Sequence, residues 1–315
     1  MQKEKPDPRM EEWRFIYATD IHVGSPRSFR FEPAWNQNWE TAKSQIIKEK
    51  PEFLLLGGDV TRDGSIHRFE LENIKRDLDS LPFPSYVIAG NMDTGNKHTD
   101  FPGPYKDRDD VLLNVRSEQL QQFSSVFGSL WWSFDYKGVR FSGFTDVVVG
   151  SGLVEEREFW RWMELQMKRT RPKHHIWMMH YALFMNDLYE PNYDIRDREQ
   201  YLEWYFGIDE PYRSRLFKIF KETNADFVIS GHVHCRKIDY VDDICFIKAP
   251  STAFPQLCDY WEDGDCRLGF LEFTVSGKEI EFEFIPLECR STLRGYGPRG
   301  HPLPHKRDYS IAWEK

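Results

Sequence analysis

Seven side chains of types that commonly bind metal ions stand directly after short apolar runs of the chain. They are Asp20, His22, Asp59, Asn91, His180, His232 and His234. Carboxylate, amide and imidazole donors with no thiolate among them favour first-row divalent metals such as Mn, Fe or Zn over a structural cysteine site. Burying so many ionisable groups together without a metal would be costly, so we interpret them as ligands rather than as polar residues of the core.

The spacing within two of these motifs has a stereochemical reason. In an extended segment, residues i and i+2 face the same side. Asp20 and His22 are therefore expected to point at one cavity, and His232 and His234 likewise. Glycines beside the ligands allow the sharp turns or close backbone approaches that bring such loops together. These glycines are Gly57, Gly58, Gly90 and Gly231.

The first third of the chain predicts alternating strands and helices that would position these residues. Apolar runs at 15–18, 53–56 and 86–89 each close on polar or glycine residues, which indicates buried strands. Helical patterns fill the intervals at 34–48 and 65–78, with Ser65 as the expected N-cap of the second helix. Ligands collect at the carboxyl ends of strands in open α/β sheets, which is where Asp20, Asp59 and Asn91 stand.

A second series of strands follows with the same pattern. Residues 131–136 and 139–144 predict a hairpin, and residues 154–169 predict a helix. Apolar strands at 176–179 and 227–229 lead to His180 and to the 232–234 motif, and further strands are predicted at 244–249, 268–275 and 279–285. His174 and His175 precede a strand beside a lysine, so we expect them to be exposed.

We expect one large domain with appendages. The predicted segments are an N-terminal extension at 1–13, the domain at 14–286 and a C-terminal arm at 287–315. Two long polar and aromatic segments, 92–116 and 186–211, contain several prolines and stand at the ligand-bearing edge. Such loops usually act as lids or substrate walls.

Composition limits the classes of partner and compartment. The chain has 315 residues and a formal net charge of −9, which argues against an extended nucleic-acid partner because that binding needs many basic contacts to phosphates. A pair of metal ions can still attract an anionic substrate into one pocket. We find no apolar run approaching the ~18 residues of a membrane span and no signal peptide, so we expect a cytoplasmic protein with no membrane partner. The five cysteines contain no C-x-x-C pair and are interpreted as small apolar residues.

Taken in order, the motifs resemble those of the calcineurin-like metallophosphoesterases. Asp20-Ile21-His22, Gly58-Asp59, Gly90-Asn91-Met92-Asp93, His180 and Gly231-His232-Val233-His234 are similar to the family's D-x-H, G-D, G-N-H-[DE], H and G-H-x-H motifs. The resemblance spans about residues 14–286. Gly58–Gly64, and Ala249–Thr252 followed by Cys266–Leu268, most resemble the cyclic-nucleotide and glycerophosphodiester phosphodiesterase branch.

The resemblance implies a fold, a pair of metal ions and a reaction. The fold would be an α/β four-layer αββα sandwich of two mixed sheets flanked by helices. Asp59 would bridge two divalent ions, and a metal-bridging hydroxide would attack phosphorus in line. The first ion would be held by Asp20, His22, Asp59 and His234, and the second by Asp59, Asn91, His180 and His232. Residues expected to act in catalysis are Asp59, Asn91, Asp93 and His180.

Met92 departs from the family pattern, which has a histidine at that position to protonate the leaving oxygen or orient the phosphate. A thioether can do neither, and general acid catalysis is typically worth about 10² to 10⁴-fold. Either another donor such as His98 or His67 replaces it, although both are more readily explained as surface residues, or the leaving group needs no acid. We therefore favour a phosphodiester or pyrophosphate bond over an alkyl monoester.

Substrate contacts are less well defined by the sequence. The candidates are His98, Tyr181 and Arg196. Tyr181 could stack on a base of the substrate. Arg196 and Arg62 could contact phosphate, and the alternative is that both are solvated surface charges. The expected partner is a small phosphorylated substrate, and a homodimer is left open. Alternatives to the phosphodiesterase are a phosphomonoesterase, a metal-binding scaffold of the same fold without turnover, and a nuclease, which the acidic charge disfavours.

Overall fold

Two mixed β-sheets pack face to face and carry helices on their outer faces in the computed structural model, which describes residues 12–104, 111–277 and 279–297. The strands are β1 Trp13–Ala18, β2 Leu54–Leu56, β3 Ser85–Val87, β4 Trp131–Tyr136, β5 Val139–Phe144, β6 His174–Met178, β7 Phe227–Ser230, β8 Lys237–Val241, β9 Ile244–Lys248, β10 Gly269–Ser276 and β11 Glu279–Pro286. The helices are α1 Pro33–Glu49, α2 Arg68–Asp79, α3 Asn91–Thr94, α4 Ser117–Phe127, α5 Val154–Lys168, α6 Tyr201–Phe206 and α7 Tyr212–Glu222, with short 3₁₀ turns at Val111–Leu113 and Asp146–Val148.

Each sheet contains a parallel set of strands together with antiparallel ones. One sheet has the order β11-β10-β1-β2-β3, in which β1, β2 and β3 are parallel. The other has the order β4-β5-β6-β7-β9-β8, in which β5, β6, β7 and β9 are parallel. Parallel strands deliver their carboxyl ends to one edge, so both sheets present their following loops on the same side of the domain.

Successive side chains of a strand point to opposite faces of its sheet, so each strand packs against both the other sheet and the outer helices. Phe15 and Tyr17 of β1 face the inner core between the sheets, whereas Ile16 and Ala18 face α1 and α2. On the other side, Trp177 of β6 packs with residues of α5 and α7. The expected αββα sandwich is confirmed.

The structure corrects several expectations about local elements. Helix α2 begins at Arg68 rather than at Ser65, because residues 63–67 close a turn in which His67 N–H donates to Asp63 O at 2.7 Å. His67 itself is buried and its Nε2 accepts from Phe29 N–H at 3.1 Å, so it is not a surface residue. Strand β8 and helices α3, α4, α6 and α7 are additional to the elements that the sequence predicted.

Some of the predicted segments lie partly outside the described residues. The structure does not describe residues 1–11 of the extension, 105–110 of the first long loop or 298–315 of the arm. Among the helices of the described ranges, none combines the length and the apolar character that a membrane crossing requires.

The expectation that the His175 side chain is exposed was wrong. It lies in β6 at 1% exposure, with Nε2 2.8 Å from Ser142 Oγ and Nδ1 3.0 Å from Thr223 O. Burial lowers the pKa of His175 from its ordinary 6.5 to about 3. The folded protein therefore holds this imidazole neutral, whereas the unfolded chain protonates it once the pH falls below about 6.5.

This difference predicts acid sensitivity of the fold. Because the unfolded chain binds the extra proton, the free energy of unfolding falls as the pH drops from about 6.5 towards about 3, by up to about 1.4 kcal/mol per pH unit. Urea unfolding in EDTA at pH 7 and pH 5 should show a smaller loss for His175→Gln than for the wild type. His98→Gln, at a partly exposed position, should keep the wild-type loss. Equal pH dependence in His175→Gln and the wild type would contradict the assignment.

Candidate metal centre

All seven side chains expected to be ligands lie in loops at the carboxyl ends of the parallel strands. Asp20 and His22 follow β1, and Asp59 follows β2. Asn91 opens α3 after β3, His180 follows β6, and His232 and His234 follow β7. Each of the seven is 3% exposed or less. Their common location follows from the two parallel sheet centres.

The loops have an unusual backbone conformation. Five of the seven residues have positive φ, between 46° and 66°: Asp20, His22, Asp59, His232 and His234. The left-handed region costs a residue other than glycine about 1 to 3 kcal/mol and is typical of functional sites. The D-x-H and H-x-H residues therefore converge through left-handed turns, and our interpretation that extended alternation brings them together was wrong.

Six of the seven side chains form two clusters of three, each with donor atoms close enough to share one ion. The first contains Asp20, His22 and His234, and the second contains Asp59, His180 and His232. In the first, His234 Nε2 lies 3.1 Å from Asp20 Oδ1 and 3.2 Å from His22 Nε2. In the second, His180 Nε2 lies 3.3 Å from Asp59 Oδ1.

The Asp59 carboxylate joins the two clusters, and Asn91 adds an oxygen to the second. Asp59 Oδ2 is 3.7 Å from His22 Nε2, while its Oδ1 faces His180. Asn91 Oδ1 is 3.1 Å from His180 Nε2. Met92 N–H donates to Asp59 Oδ1 at 2.8 Å, which fixes the carboxylate between the clusters.

Hydrogen bonds at the backs of the histidine rings set which nitrogen faces the site. His180 Nδ1 is 2.9 Å from Gly57 O, and His234 Nδ1 is 2.8 Å from Phe254 O. A carbonyl only accepts, so both rings carry their proton on Nδ1 and turn the Nε2 lone pair towards the site. His232 Nε2 lies 3.3 Å from Tyr205 O, so this nitrogen carries the proton that the carbonyl accepts.

Electron-rich atoms thus face one another across the site, which is the arrangement that positive charge stabilises. Within the described residues, Asp20 Oδ1 accepts no hydrogen bond although it is buried. Burial and the neighbouring His234 lower the pKa of His22 well below its usual value, so this ring is a neutral donor. Burial also lowers the pKa of His180, but Asp59 outweighs that effect and raises it to about 10, so the site attracts positive charge. The residues fit a pair of metal ions.

Asp93 has a different position from the other residues expected to act in catalysis. It is fully buried and does not line the cavity described below. Its carboxylate accepts N–H bonds from Val60, Thr61 and Gly90 at 3.2, 2.9 and 2.9 Å, and the Thr61 hydroxyl at 2.6 Å. Asp93 therefore ties the loop that carries Asp59 to the loop that carries Asn91, which is a positioning role.

Close approach explains two of the glycines. A Cβ on Gly90 would meet Asp59 Oδ1 and also lie 2.7 Å from His180 Cε1. A Cβ on Gly231 would lie 2.6 Å from Asp20 Oδ2. No larger residue fits at either position while the ligands keep their places.

A cavity of about 620 Å³ opens above the two clusters. Its floor contains four of the predicted histidine and carboxylate ligands together with Asn91 and Met92. The second long segment contributes Tyr201, Leu202, Tyr205 and Phe206 to the lining. From the first long segment, Met92 reaches the cavity, and residues 105–110 lie outside the described part.

The C-terminal arm forms part of the same cavity, which the sequence did not indicate. Tyr296 pairs with Phe31 through N–H···O bonds of 2.9 and 3.0 Å, and residues 294–297 line the cavity mouth. Gly295 N–H donates to Glu32 Oε1 at 2.6 Å. The arm thus holds the 24–32 loop against the site.

The three residues expected to contact substrate do not line this cavity. Tyr181 is buried, with its ring 4.3 Å from that of His232 and its hydroxyl accepting from Lys97 N–H at 3.2 Å. His98 lies beside Asp100, 3.2 Å away. Arg196 is exposed and pairs with Asp194 at 2.7 Å. The wall instead contains Arg30, Trp35, Arg62, Phe254 and Tyr296. Of these, only Arg62 carried a signal in the sequence.

The comparisons with known proteins agree with this geometry. The family model for calcineurin-like phosphoesterases matches residues 14–236. This chain therefore belongs to the calcineurin-like phosphoesterase family. It is 25% identical over 255 residues to the human serine/threonine-protein phosphatase CPPED1, covering 73% of each chain, and equally similar to the same protein of Pongo abelii.

Solved structures share the fold at low identity. The purple acid phosphatase PPD1 of yellow lupin seeds matches 92% of this chain with a TM-score of 0.61 and 14% identity, and this chain spans 54% of that one. GAP50 of Plasmodium, titled as the anchor in the inner membrane complex, matches 91% of this chain and 90% of its own with a TM-score of 0.52 and 14% identity. A dimetal phosphatase of Danio rerio matches 90% of this chain and 98% of its own, with a TM-score of 0.50 and 11% identity.

Asp59 provides a direct test of the metal centre. Because one carboxylate faces both clusters, Asp59→Asn should weaken binding at both and reduce the rise in melting temperature that added Mn²⁺ gives, since that rise depends on affinity for the folded state. Calorimetry in EDTA and in Mn²⁺, together with the metal content of the dialysed protein, measures this. Asp243→Asn, at an exposed residue of the β8–β9 turn, should retain the full rise. A full rise in Asp59→Asn would contradict the bridging role.

Proposed function

We propose that the protein hydrolyses a phosphoric ester with two divalent ions, Mn, Fe or Zn. One ion would be held by Asp20, His22, Asp59 and His234, and the other by Asp59, Asn91, His180 and His232. The observation that carries this proposal is the position of Asp59, which turns one carboxylate oxygen towards each cluster. When bound, such a pair of ions lowers the pKa of a water molecule and neutralises phosphate oxygens.

The side chains of this protein orient the substrate and keep the site dry. Asn91 is an uncharged donor, so the second cluster has less negative charge than a second carboxylate would give it. Tyr205 and Phe206 cover His232, with ring centroids 5.0 and 4.9 Å away, and exclude water from that face. A cavity of about 620 Å³ suits a small phosphorylated substrate rather than an extended nucleic acid.

Met92 argues for a bond whose leaving group departs without a proton. It lines the cavity beside Asn91, and its thioether has no proton to give. The two replacements suggested by the sequence, His67 and His98, do not line the cavity. Phosphate leaving groups, with a pKa near 6, need little acid assistance. We therefore propose a pyrophosphate bond or a phosphodiester with an acidic leaving group as the substrate.

A phosphomonoesterase is the second candidate, because the human relative is named a serine/threonine-protein phosphatase. A non-catalytic scaffold is the third, since a protein titled as an anchor has the same fold. The complete set of seven buried ligands favours an enzyme over the scaffold. Comparing p-nitrophenyl phosphate, bis(p-nitrophenyl) phosphate and phosphoserine with and without Mn²⁺ separates the three. Asp59→Asn should lose the metal-dependent rate on whichever compound is hydrolysed.

Met92→His tests the missing acid. If proton donation limits the reaction, an imidazole at this position should raise kcat/KM for poor leaving groups by about 10² or more, with little effect on p-nitrophenolate. The measurement is a series of aryl and alkyl phosphodiesters with leaving groups of increasing pKa. Met92→Leu, which is similar in volume, should change all members of the series equally. An equal gain across the series in Met92→His would show that this position does not control proton transfer.

A further inference from the structure

Arg62 is a buried cation in the cavity wall. It is 7% exposed, and its guanidinium makes no hydrogen bond or ion pair with any residue of the described ranges. Its Cζ lies over the Trp35 ring, 4.7 Å from the centroid. Arginine is almost never buried unless it is paired, because removing the charge from water is costly. The position therefore implies an anion that arrives with a ligand.

Arg30 adds a second guanidinium to the same wall. It is 3% exposed; its Nε donates to Asp63 Oδ1 at 2.6 Å and its Nη2 to the carbonyl of Arg62 at 3.0 Å. Its Nη1 is buried and has no hydrogen-bond partner among the described residues. Asp63 is thus engaged by Arg30, and burial together with repulsion from Arg30 lowers the pKa of Arg62 to about 9. The lining of the cavity contains Arg30, Arg62 and Arg294 against Glu32 and Asp59, so it carries more positive than negative charge.

Two aromatic rings of this wall, Trp35 and Phe254, connect Arg62 to the candidate metal centre. Phe254 packs against His234, with centroids 4.4 Å apart, and stacks on Trp35 at 4.5 Å. Trp35 is also 5.6 Å from the His22 ring and supports Arg62 on the cavity side. Trp35 therefore contacts both the guanidinium and a candidate ligand, which places the N–H fork of Arg62 beside the metal centre, where a second anionic group could meet it.

We propose that Arg62, with Arg30 beside it, binds the second phosphoryl group of a substrate that carries two phosphoryl groups close together, as in a pyrophosphate linkage. This inference rests on the proposed function, because the first phosphoryl group is the one at the metal centre. Arg62 presents a planar fork of N–H donors that matches phosphate oxygens in pairs. Arg30 mainly holds the 24–32 loop through its bonds to Asp63, and its charge adds positive electrostatic potential at the same site.

Binding of a non-hydrolysable probe tests the site independently of turnover. Methylenediphosphonate carries two phosphonate groups, and methylphosphonate carries one. Isothermal titration of the Mn-loaded full-length protein should show tighter binding of the diphosphonate, and Arg62→Gln should reduce its affinity by about 10 to 100-fold, the typical value of a charge-assisted contact. Affinity for methylphosphonate should change much less.

Control variants and readouts make the result specific. Arg157→Gln, an exposed arginine of α5, should leave both affinities unchanged, and Arg62→Lys should restore part of the diphosphonate affinity. Metal content measured before and after titration shows whether the probe strips the ions, and melting temperatures show that each variant is folded. For the hydrolysis reaction, Arg62→Gln should lower kcat/KM for a pyrophosphate substrate more than for bis(p-nitrophenyl) phosphate.

The outcomes separate this inference from the proposed function. If the diphosphonate binds through Arg62 but no ester or anhydride is hydrolysed, the second-anion site stands and the proposed function is wrong. If hydrolysis is metal-dependent and Arg62→Gln weakens both probes equally or neither, the proposed function stands and this inference is overturned.

Discussion

Mutual repulsion among buried lone pairs is the constraint on which the rest of this structure depends. The Nε2 atoms of His180 and His234 are turned inwards by carbonyl groups behind them, and they face carboxylate oxygens at 3.3 and 3.1 Å. In a buried site such contacts are unfavourable until positive charge enters. The folded chain therefore holds its donor atoms in an arrangement that favours divalent cations, and the cost of that arrangement must be met by the scaffold.

The scaffold offsets this unfavourable energy through hydrogen bonds that connect the loops to one another in the absence of any ion. Asp93 ties the Asp59 loop to the Asn91 loop through four hydrogen bonds. The two sheets are linked across the site, because His232 N–H donates to Asp20 Oδ2 at 2.9 Å and Ser251 donates to Asp20 O at 2.7 Å. The residues at the strand ends keep their left-handed backbone conformation because these contacts stabilise it.

The sequence was most informative where residue type and strand end coincide. Apolar runs that close on Asp, Asn or His predicted both the sheets and the location of the seven candidate ligands, since parallel strands must end at one edge. Contacts between distant segments gave no such signal. His175 looks exposed next to Lys173 in the sequence, but it is buried in the structure because Ser142 and Thr223 satisfy its ring. The arm that pairs Tyr296 with Phe31 follows no periodic pattern and depends on tertiary structure alone.

The proposed anion site and the thioether at position 92 have a common physical basis. An alkoxide leaving group must gain a proton as its bond breaks, whereas a departing phosphate develops charge that a fixed cation can stabilise directly. Arg62 is such a cation: it is buried, its guanidinium lies over Trp35, and no carboxylate of the described residues forms an ion pair with it. In the proposed reaction, a site with Met92 and Arg62 would therefore replace proton donation with electrostatic stabilisation, and it would discriminate between substrates by the charge of the group that leaves.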